Sequence, residues 1–238
     1  MSSTLRASAP ARANLIGNPS DQYGGATLTC ALPLRARVAL EPLACAPDTG
    51  SCVVEAEGRR STLYAPGDLS LRGDRFDWVR AVLAAREGPL PSLRISFETD
   101  IPRQSGLAGS TALVVALLHA LAAWEGEALH PWALAERARQ VEACQLGIQC
   151  GFVDQYGCVF GGLRYVDLRG KAADLDPGQA PFASVEALGP WVPALPFVVA
   201  FTGVRHKSGA VHAPIRRRWL EGEARVVRAY ERVAALAA

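Results

Sequence analysis

The sequence lacks the features that mark an exported, membrane-spanning or polyanion-binding protein. Residues 1–13 contain no hydrophobic core of signal-peptide length, and nowhere do about 18 apolar residues follow one another without interruption. The 25 basic residues nearly balance the 23 acidic ones, so no strong field favours nucleic acid or an anionic membrane surface. We therefore expect a cytoplasmic protein that binds neither nucleic acid nor membrane.

Cysteine pairs typical of metal or redox motifs are also missing. The six cysteines form no CxxC motif and are few for 238 residues, so we expect reduced thiols, although a Cys45–Cys52 disulfide stays open. Half of the residues are apolar and no long low-complexity tract is present. The chain can therefore build a sizeable core as one large or two small domains.

A strand, a glycine-rich loop and a helix follow one another without a break. Residues 92–98 alternate polar and apolar side chains as in a half-buried strand, and residues 112–124 are an apolar run long enough for a buried helix. Between them, Gly106 and Gly109 allow a close backbone approach to a ligand, and the first helical turn offers free N–H groups. The loop is a candidate anion site, although no lysine follows Gly109, which excludes the common P-loop. An ordinary turn with Ser110 as helix cap is the alternative.

Further elements are expected on both sides of this junction. Residues 26–63 favour an antiparallel sheet of short strands broken by prolines. Beyond it we expect, in chain order, helix 75–86, helix 131–145, strand 163–168, a linker at 171–196, a buried strand at 197–204 and a C-terminal helix from Gly222.

Two acidic residues stand in unusual surroundings. Glu142 falls in the last turn of a predicted helix, where the helix dipole disfavours an acid unless a cation lies nearby; Arg139 or a bound metal could supply it. Asp154 is set among apolar and aromatic neighbours, so its carboxylate must be paired or functional.

Three segments together resemble the GHMP kinases, the superfamily of galactokinase, homoserine kinase, mevalonate kinase and phosphomevalonate kinase. APARANLIGNPSDQYGG (9–25) resembles the N-terminal motif, IPRQSGLAGSTA (101–112) the phosphate loop, and VEACQLGIQCGFVDQYG (141–157) the segment with the acidic residues. The run SGAVHAPIRRRWLEG (208–222) adds similarity to the glucuronokinase-like sugar kinases.

The resemblance implies an α+β fold of the GHMP kinase type. Its N-terminal domain, similar to domain 2 of ribosomal protein S5, would occupy residues 1–180 and bind ATP and substrate. Residues 181–238 would begin a C-terminal α/β domain that looks truncated, since no third glycine-rich motif follows Gly222.

The resemblance also implies ATP-dependent phosphorylation of a sugar hydroxyl, with Mg²⁺. Asp154 and Arg12 would be catalytic, and Ser110 and Glu142 would hold the metal. The phosphates would lie against Ser105, Gly106, Leu107, Ala108, Gly109, Ser110 and Thr111. The sugar would lie against Asn18, Asp21, Tyr23 and Gly24.

Several alternatives stay open from the sequence. The loop reads GLAGSTA where much of the superfamily has GLGSSA, so either Ser110 or Thr111 could meet the metal. A glucuronate-like acceptor would need a guanidinium, from Arg103 or Arg205. Other acceptors, a non-catalytic sugar or nucleotide sensor, and an unstable truncated product are competing hypotheses, and monomer and homodimer are both compatible with the chain.

Overall fold

The computed structural model describes residues 4–43, 50–64, 67–171, 181–192, 195–200, 202–204 and 208–237. The strands are β1 (Leu5–Ile16), β2 (Ala26–Pro42), β3 (Ser51–Ala56), β4 (Arg59–Tyr64), β5 (Leu93–Thr99), β6 (Leu163–Asp167) and β7 (Ser184–Ala187). The helices are α1 (Asp77–Ala84), α2 (Gly109–Trp124), α3 (Pro131–Gln140), α4 (Val153–Phe160), α5 (Ser208–Leu220) and α6 (Ala224–Ala237). Short 3-10 turns form at Ser20–Tyr23 and Gly67–Leu69, and a π-helical turn at Val141–Gln145 extends α3.

All seven strands join one sheet around the long strand β2. The order is β4-β3-β5-β2-β6-β7, and β1 also pairs with β2. Every pairing is antiparallel except that of β3 with β5. The expected α+β class is therefore correct, with one parallel pair that the sequence pattern did not indicate.

Strand β2 runs through Pro33, where the proline pattern predicted a break. Its partner strand β1 shifts register between Pro10 and Arg12, opposite residues 31–35 of β2. Proline is tolerated at such a bulge because the ladder loses its regular hydrogen bonds there. The prediction of separate short strands is wrong at this position.

Helix α2 lies at the centre of the core. Val114, Ala116 and Leu117 are fully buried, and the helix packs against β1 and β2. Because it is apolar on most of its surface, it is covered on several sides, by α1, α3 and α4 as well as by the sheet, while His119 is exposed. This burial fixes the end of α2 that the glycine-rich loop enters.

Two predictions for the second half of the chain need correction. The expected linker 171–196 contains β7, which pairs with β6 in the main sheet, and its first residue, Lys171, is buried. The expected buried strand 197–204 is irregular in its described residues, and Val198 is 92% exposed. An apolar run becomes a strand only where a neighbouring strand supplies hydrogen bonds, and no described strand pairs with this one.

The domain division at 180/181 stays a prediction, since β7 lies just beyond it within the same sheet. The C-terminal helix is confirmed as α6. Among the described residues, no helix is long and apolar enough to cross a membrane. Cys52 is a buried free thiol, and its suggested partner Cys45 lies outside the described residues.

Candidate active site

Asp154 and Arg12 form an ion pair where α4 crosses β1. Asp154 stands in the first turn of α4, and its Oδ1 accepts hydrogen bonds from Arg12 Nε at 3.0 Å and from Arg12 Nη2. Burial alone would lower the pKa of Arg12, but the adjacent carboxylate raises it above its ordinary value. The guanidinium therefore stays charged although it is buried, while about a third of the Asp154 side chain, 34%, faces solvent.

Arg12 also binds the glycine-rich loop. Its Nη1 donates to the carbonyl oxygen of Gly106 at 2.9 Å, and its backbone N–H donates to the carbonyl of Leu107 at 3.3 Å. The close approach of α4 depends on Gly157, because a Cβ there would lie 3.1 Å from the Arg12 side chain. One side chain thus connects the acid on α4 to the loop that precedes α2.

The loop changes direction through left-handed backbone conformations. Gly106 has φ +75°, and Ala108, the residue before the first turn of α2, has φ +57°. Ala108 is therefore the N-cap, and no side chain caps the helix. The alternative with Ser110 as cap is wrong, since Ser110 lies inside the first turn and is exposed. The uncapped turn leaves its N–H groups for an anion.

Glu142 is buried at 2% exposure in the π-helical turn and contacts α2 and α4. Thr111 Oγ1 donates to both of its carboxylate oxygens, at 2.8 Å and 3.1 Å, and Gln155 Nε2 donates to Oε2 at 2.5 Å. Burial and the charge of Asp154 nevertheless raise the pKa of Glu142 to about 7. A desolvated carboxylate of this kind favours a cation beside it.

The donor set fits a magnesium ion in its chemistry. Glu142 and Thr111 offer oxygen atoms, and the Oε1 atom of Gln155 is buried without a hydrogen-bond partner. Among the described residues, no group of three or more His, Cys, Asp or Glu side chains could hold a metal. Such a group is not required, since Mg²⁺ usually keeps several waters and phosphate oxygens as ligands.

Gln155 belongs to the site although the sequence pattern does not indicate it. It is fully buried and follows Asp154 on α4, so consecutive residues contact Glu142 and Arg12. The signal available was a polar amide inside an apolar helical segment, since a buried amide requires partners. Helix α4 is short and contains a glycine, so its sequence shows little helical pattern. The direction of the Gln155 side chain could therefore not be inferred from the sequence.

Residues of the loop at 17–25, expected to bind the sugar, contact other parts of the protein. Asp21 is buried, and its Oδ2 accepts hydrogen bonds from the backbone N–H groups of Phe152 at 2.9 Å and Val153 at 3.2 Å. It thus caps the start of α4. Asn18 is exposed, and Tyr23 packs on the C-terminal helices. Gly24 ends the 3-10 turn in the left-handed region at φ +73°.

Comparison with known proteins gives matches to both parts of this site. Residues 77–162, which include the loop, Glu142 and Asp154, match the GHMP kinases N-terminal domain family. Residues 2–42, which include Arg12 and Asp21, match the galactokinase galactose-binding signature. The chain belongs to the GHMP kinase family.

The relatives of this chain are distant. It is 28% identical over 246 residues to glucuronokinase 1 of Arabidopsis thaliana, covering 95% of this chain and 65% of that protein. It is 30% identical over 177 residues to D-glycero-alpha-D-manno-heptose 7-phosphate kinase of Campylobacter jejuni, covering 69% of this chain and 50% of that protein. The chain thus spans between half and two thirds of the length of these curated relatives.

The fold agrees with solved GHMP kinase structures. The D-glycero-D-manno-heptose 1-phosphate kinase from Bacteroides thetaiotaomicron superposes with a TM-score of 0.62 at 26% identity, covering 76% of this chain and 59% of that one. The two matched segments, residues 2–42 and 77–162, meet at the Arg12–Asp154 pair.

Proposed function

We propose that this GHMP kinase transfers the γ-phosphate of ATP to a hydroxyl of a small sugar, glucuronate-like, giving a sugar 1-phosphate. The observation that carries the proposal is the Arg12–Asp154 pair bound to the glycine-rich loop. It brings a carboxylate, a permanent positive charge and an anion-binding helix start into one place. The names of the relatives, a glucuronokinase and two heptose phosphate kinases, support a sugar acceptor.

The phosphates of ATP would lie along the loop at residues 105–111. Its backbone N–H groups and the positive end of α2 attract negative charge without a lysine. Ser110 is exposed at this end and can donate its hydroxyl to a phosphate. Phosphoryl transfer depends mainly on positioning and charge stabilisation, which fixed backbone dipoles supply.

Asp154 would accept the proton of the attacking sugar hydroxyl. As that proton moves to the carboxylate, the sugar oxygen bonds to the γ-phosphorus and the bond to the β-phosphate oxygen breaks, leaving ADP and the sugar phosphate. Arg12 would stabilise the negative charge that develops on the sugar oxygen and the transferred group. Its hydrogen bond to Gly106 keeps its charge beside the loop.

Glu142 and Thr111 would hold Mg²⁺, and Ser110 would be a further ligand. When bound, the ion neutralises charge on the phosphate oxygens. The hydrogen bonds from Thr111 and Gln155 fix the direction of the Glu142 carboxylate, which supports Thr111 as the hydroxyl that meets the metal. The buried, unpaired Oε1 of Gln155 supports a polar ligand in the same place.

The sugar would lie against the loop that carries Asn18, Asp21, Tyr23 and Gly24. Asp21 supports this placement indirectly, because its hydrogen bonds to the start of α4 join the loop to the helix that presents Asp154. The loop and the catalytic carboxylate are thereby held in a fixed relation.

The proposal is tested by ADP release from the purified protein with MgATP and a panel of acceptors. The panel contains glucuronate, galacturonate, galactose, arabinose, a heptose 7-phosphate and mevalonate. We expect turnover with a uronate, and Asp154→Asn should lower kcat by at least about 100-fold, since general-base catalysis contributes that much. Asp167→Asn, which removes a surface partner of Arg169, is the matched control.

Two results would overturn the proposal. A folded wild-type protein that binds ATP but releases no ADP with any acceptor is a sensor rather than a kinase. Equal kcat values for wild type and Asp154→Asn would remove Asp154 from the mechanism.

A further inference from the structure

Three consecutive arginines on α5 differ in their partners. Arg217 Nε lies 3.9 Å from Glu221 Oε1, and Arg218 Nε lies 2.6 Å from Glu223 Oε2. Arg216, in contrast, forms no ion pair and no side-chain hydrogen bond with any residue in the described part of the chain. It is also half-buried, whereas its two neighbours are exposed. A guanidinium that is partly desolvated and unpaired is costly unless an anion binds to it.

Arg216 lies where α5 meets the loop at residues 17–25. It precedes Trp219 by one helical turn, and the Trp219 ring packs on the Tyr23 ring with centroids 4.9 Å apart. Burial and the neighbouring Tyr230 raise the pKa of Tyr23 to about 12, and the positive charge of Arg216 acts against this rise. Because residues three apart on a helix share a face, Arg216 lies on the same face of α5 as Trp219, the face that packs on this loop.

We infer that Arg216 binds the anionic group of the acceptor, so the substrate class is a sugar acid or a sugar phosphate rather than a neutral sugar. This inference rests on the proposed function, because that function places the acceptor against the loop at residues 17–25. A guanidinium binds carboxylate or phosphate through two parallel hydrogen bonds, which fixes the orientation of the sugar as well as adding affinity.

The sequence offers two other guanidiniums for this role, of which the structure describes one. Arg103 is exposed and belongs to the loop expected to bind ATP phosphates, and Arg205 lies outside the described residues. Of these guanidiniums, the structure describes Arg103 and Arg216, and Arg216 is the better suited of the two as the specificity-determining residue.

The test measures acceptor binding first, without ATP, so that it does not depend on catalysis. Titration calorimetry compares glucose, glucuronate and glucose 6-phosphate, which share one ring and differ at the sixth carbon. We expect wild type to bind at least one of the two anionic sugars more tightly than glucose. Arg216→Gln should weaken that binding roughly 10- to 100-fold, the range of a charge-assisted hydrogen bond, and leave glucose unchanged. Arg216→Lys should restore part of the loss.

Arg217→Gln is the matched control, since it removes the same charge from the same helix one residue away. With a turnover acceptor, Arg216→Gln should raise KM for the anionic sugar and leave kcat and KM for ATP nearly unchanged. Whether glucuronate or glucose 6-phosphate binds more tightly distinguishes a carboxylate from a phosphate.

The inference is wrong if wild type binds glucose as tightly as both anionic sugars, or if Arg217→Gln weakens binding as much as Arg216→Gln. Failure of the kinase proposal gives a different pattern. Charge-selective binding that depends on Arg216, without ADP release, would retain the anion site and reject catalysis.

Discussion

Burial and charge conflict at Glu142. Its pKa of about 7 in the folded protein exceeds its ordinary value of 4.5 because of burial first and the Asp154 charge second. Between these two pH values the folded state binds more protons than the unfolded state, so the free energy of unfolding falls as pH rises. The contribution of Glu142 to the free energy of unfolding is complete below about pH 4.5 and is lost above about pH 7. The total loss is on the order of 3 kcal/mol.

Glu142→Gln should remove this pH dependence in metal-free protein. Chemical denaturation in the presence of EDTA measures the free energy of unfolding at pH 5 and pH 8. The difference between Glu142→Gln and wild type should shift in favour of the variant at pH 8. Glu87→Gln, an exposed acid after α1, should show a constant difference. Mg²⁺ at pH 8 should then stabilise wild type and not Glu142→Gln. The same pH profile in both proteins would contradict the burial of an ionised carboxylate.

Single residues could be predicted from the sequence where the local pattern conflicted with their chemistry. Glu142 stood at the wrong end of a helix dipole, and Asp154 lay among apolar neighbours, so both were recognised as needing a partner. The partners themselves could not be predicted. Arg12 lies 142 residues from Asp154 in the chain, and Gln155 faces Glu142 only because α4 forms.

At the scale of elements, the start of α4 depends on Asp21. Its carboxylate accepts hydrogen bonds from the backbone N–H groups of Phe152 and Val153, which would otherwise be buried without acceptors. Asp21→Ala should therefore lower the free energy of unfolding in urea by about 1–2 kcal/mol. Asn18→Ala, at an exposed position of the same loop, should leave it nearly unchanged.

A second variant tests the same contact from the helix side. A Cβ on Gly151 would lie 1.8 Å from Asp21 Oδ2, so Gly151→Ala should displace the carboxylate and destabilise the protein to a similar or greater extent. If Asp21→Ala is as stable as wild type but binds sugar more weakly, Asp21 acts on the acceptor alone and the cap contributes nothing.

Elements were predictable where periodicity and length agreed. The strand at 92–98, the apolar helix after the loop and the helix that begins at Pro131 formed within a few residues of their expected bounds. The sequence pattern gave wrong predictions where pairing with another strand decides whether a segment forms a strand. Pro33 did not break β2 because it lies in a bulge of β2, opposite Ala11 of β1. The apolar residues 197–200 did not form a strand because no described strand lies beside them.

At the scale of the whole molecule, the C-terminal helices cover the loop at residues 17–25. Tyr230 of α6 packs on Tyr23 with ring centroids 4.0 Å apart, and Trp219 of α5 packs on the same ring. A Cβ on Gly25 would lie 2.3 Å from Ser20 Oγ in the same loop and 3.2 Å from the Ala234 side chain, so the turn itself requires glycine there and α6 packs closely on it. Sequence periodicity predicted the last helix but could not predict where it packs.

Because Tyr230 packs on Tyr23, we expect this distant residue of α6 to restrict the motion of the loop at residues 17–25. Tyr230→Ala should remove an aromatic contact and raise amide hydrogen exchange at residues 17–25, by roughly five- to tenfold. Exchange at residues 105–111 should not change, because Arg12 and α2 hold that loop independently. In turnover, KM for the acceptor should therefore rise while KM for ATP stays constant. Leu236→Ala, at a position of α6 that is 82% exposed, should do neither. Faster exchange spread evenly over both loops would instead show that α6 stabilises the whole fold rather than the acceptor loop.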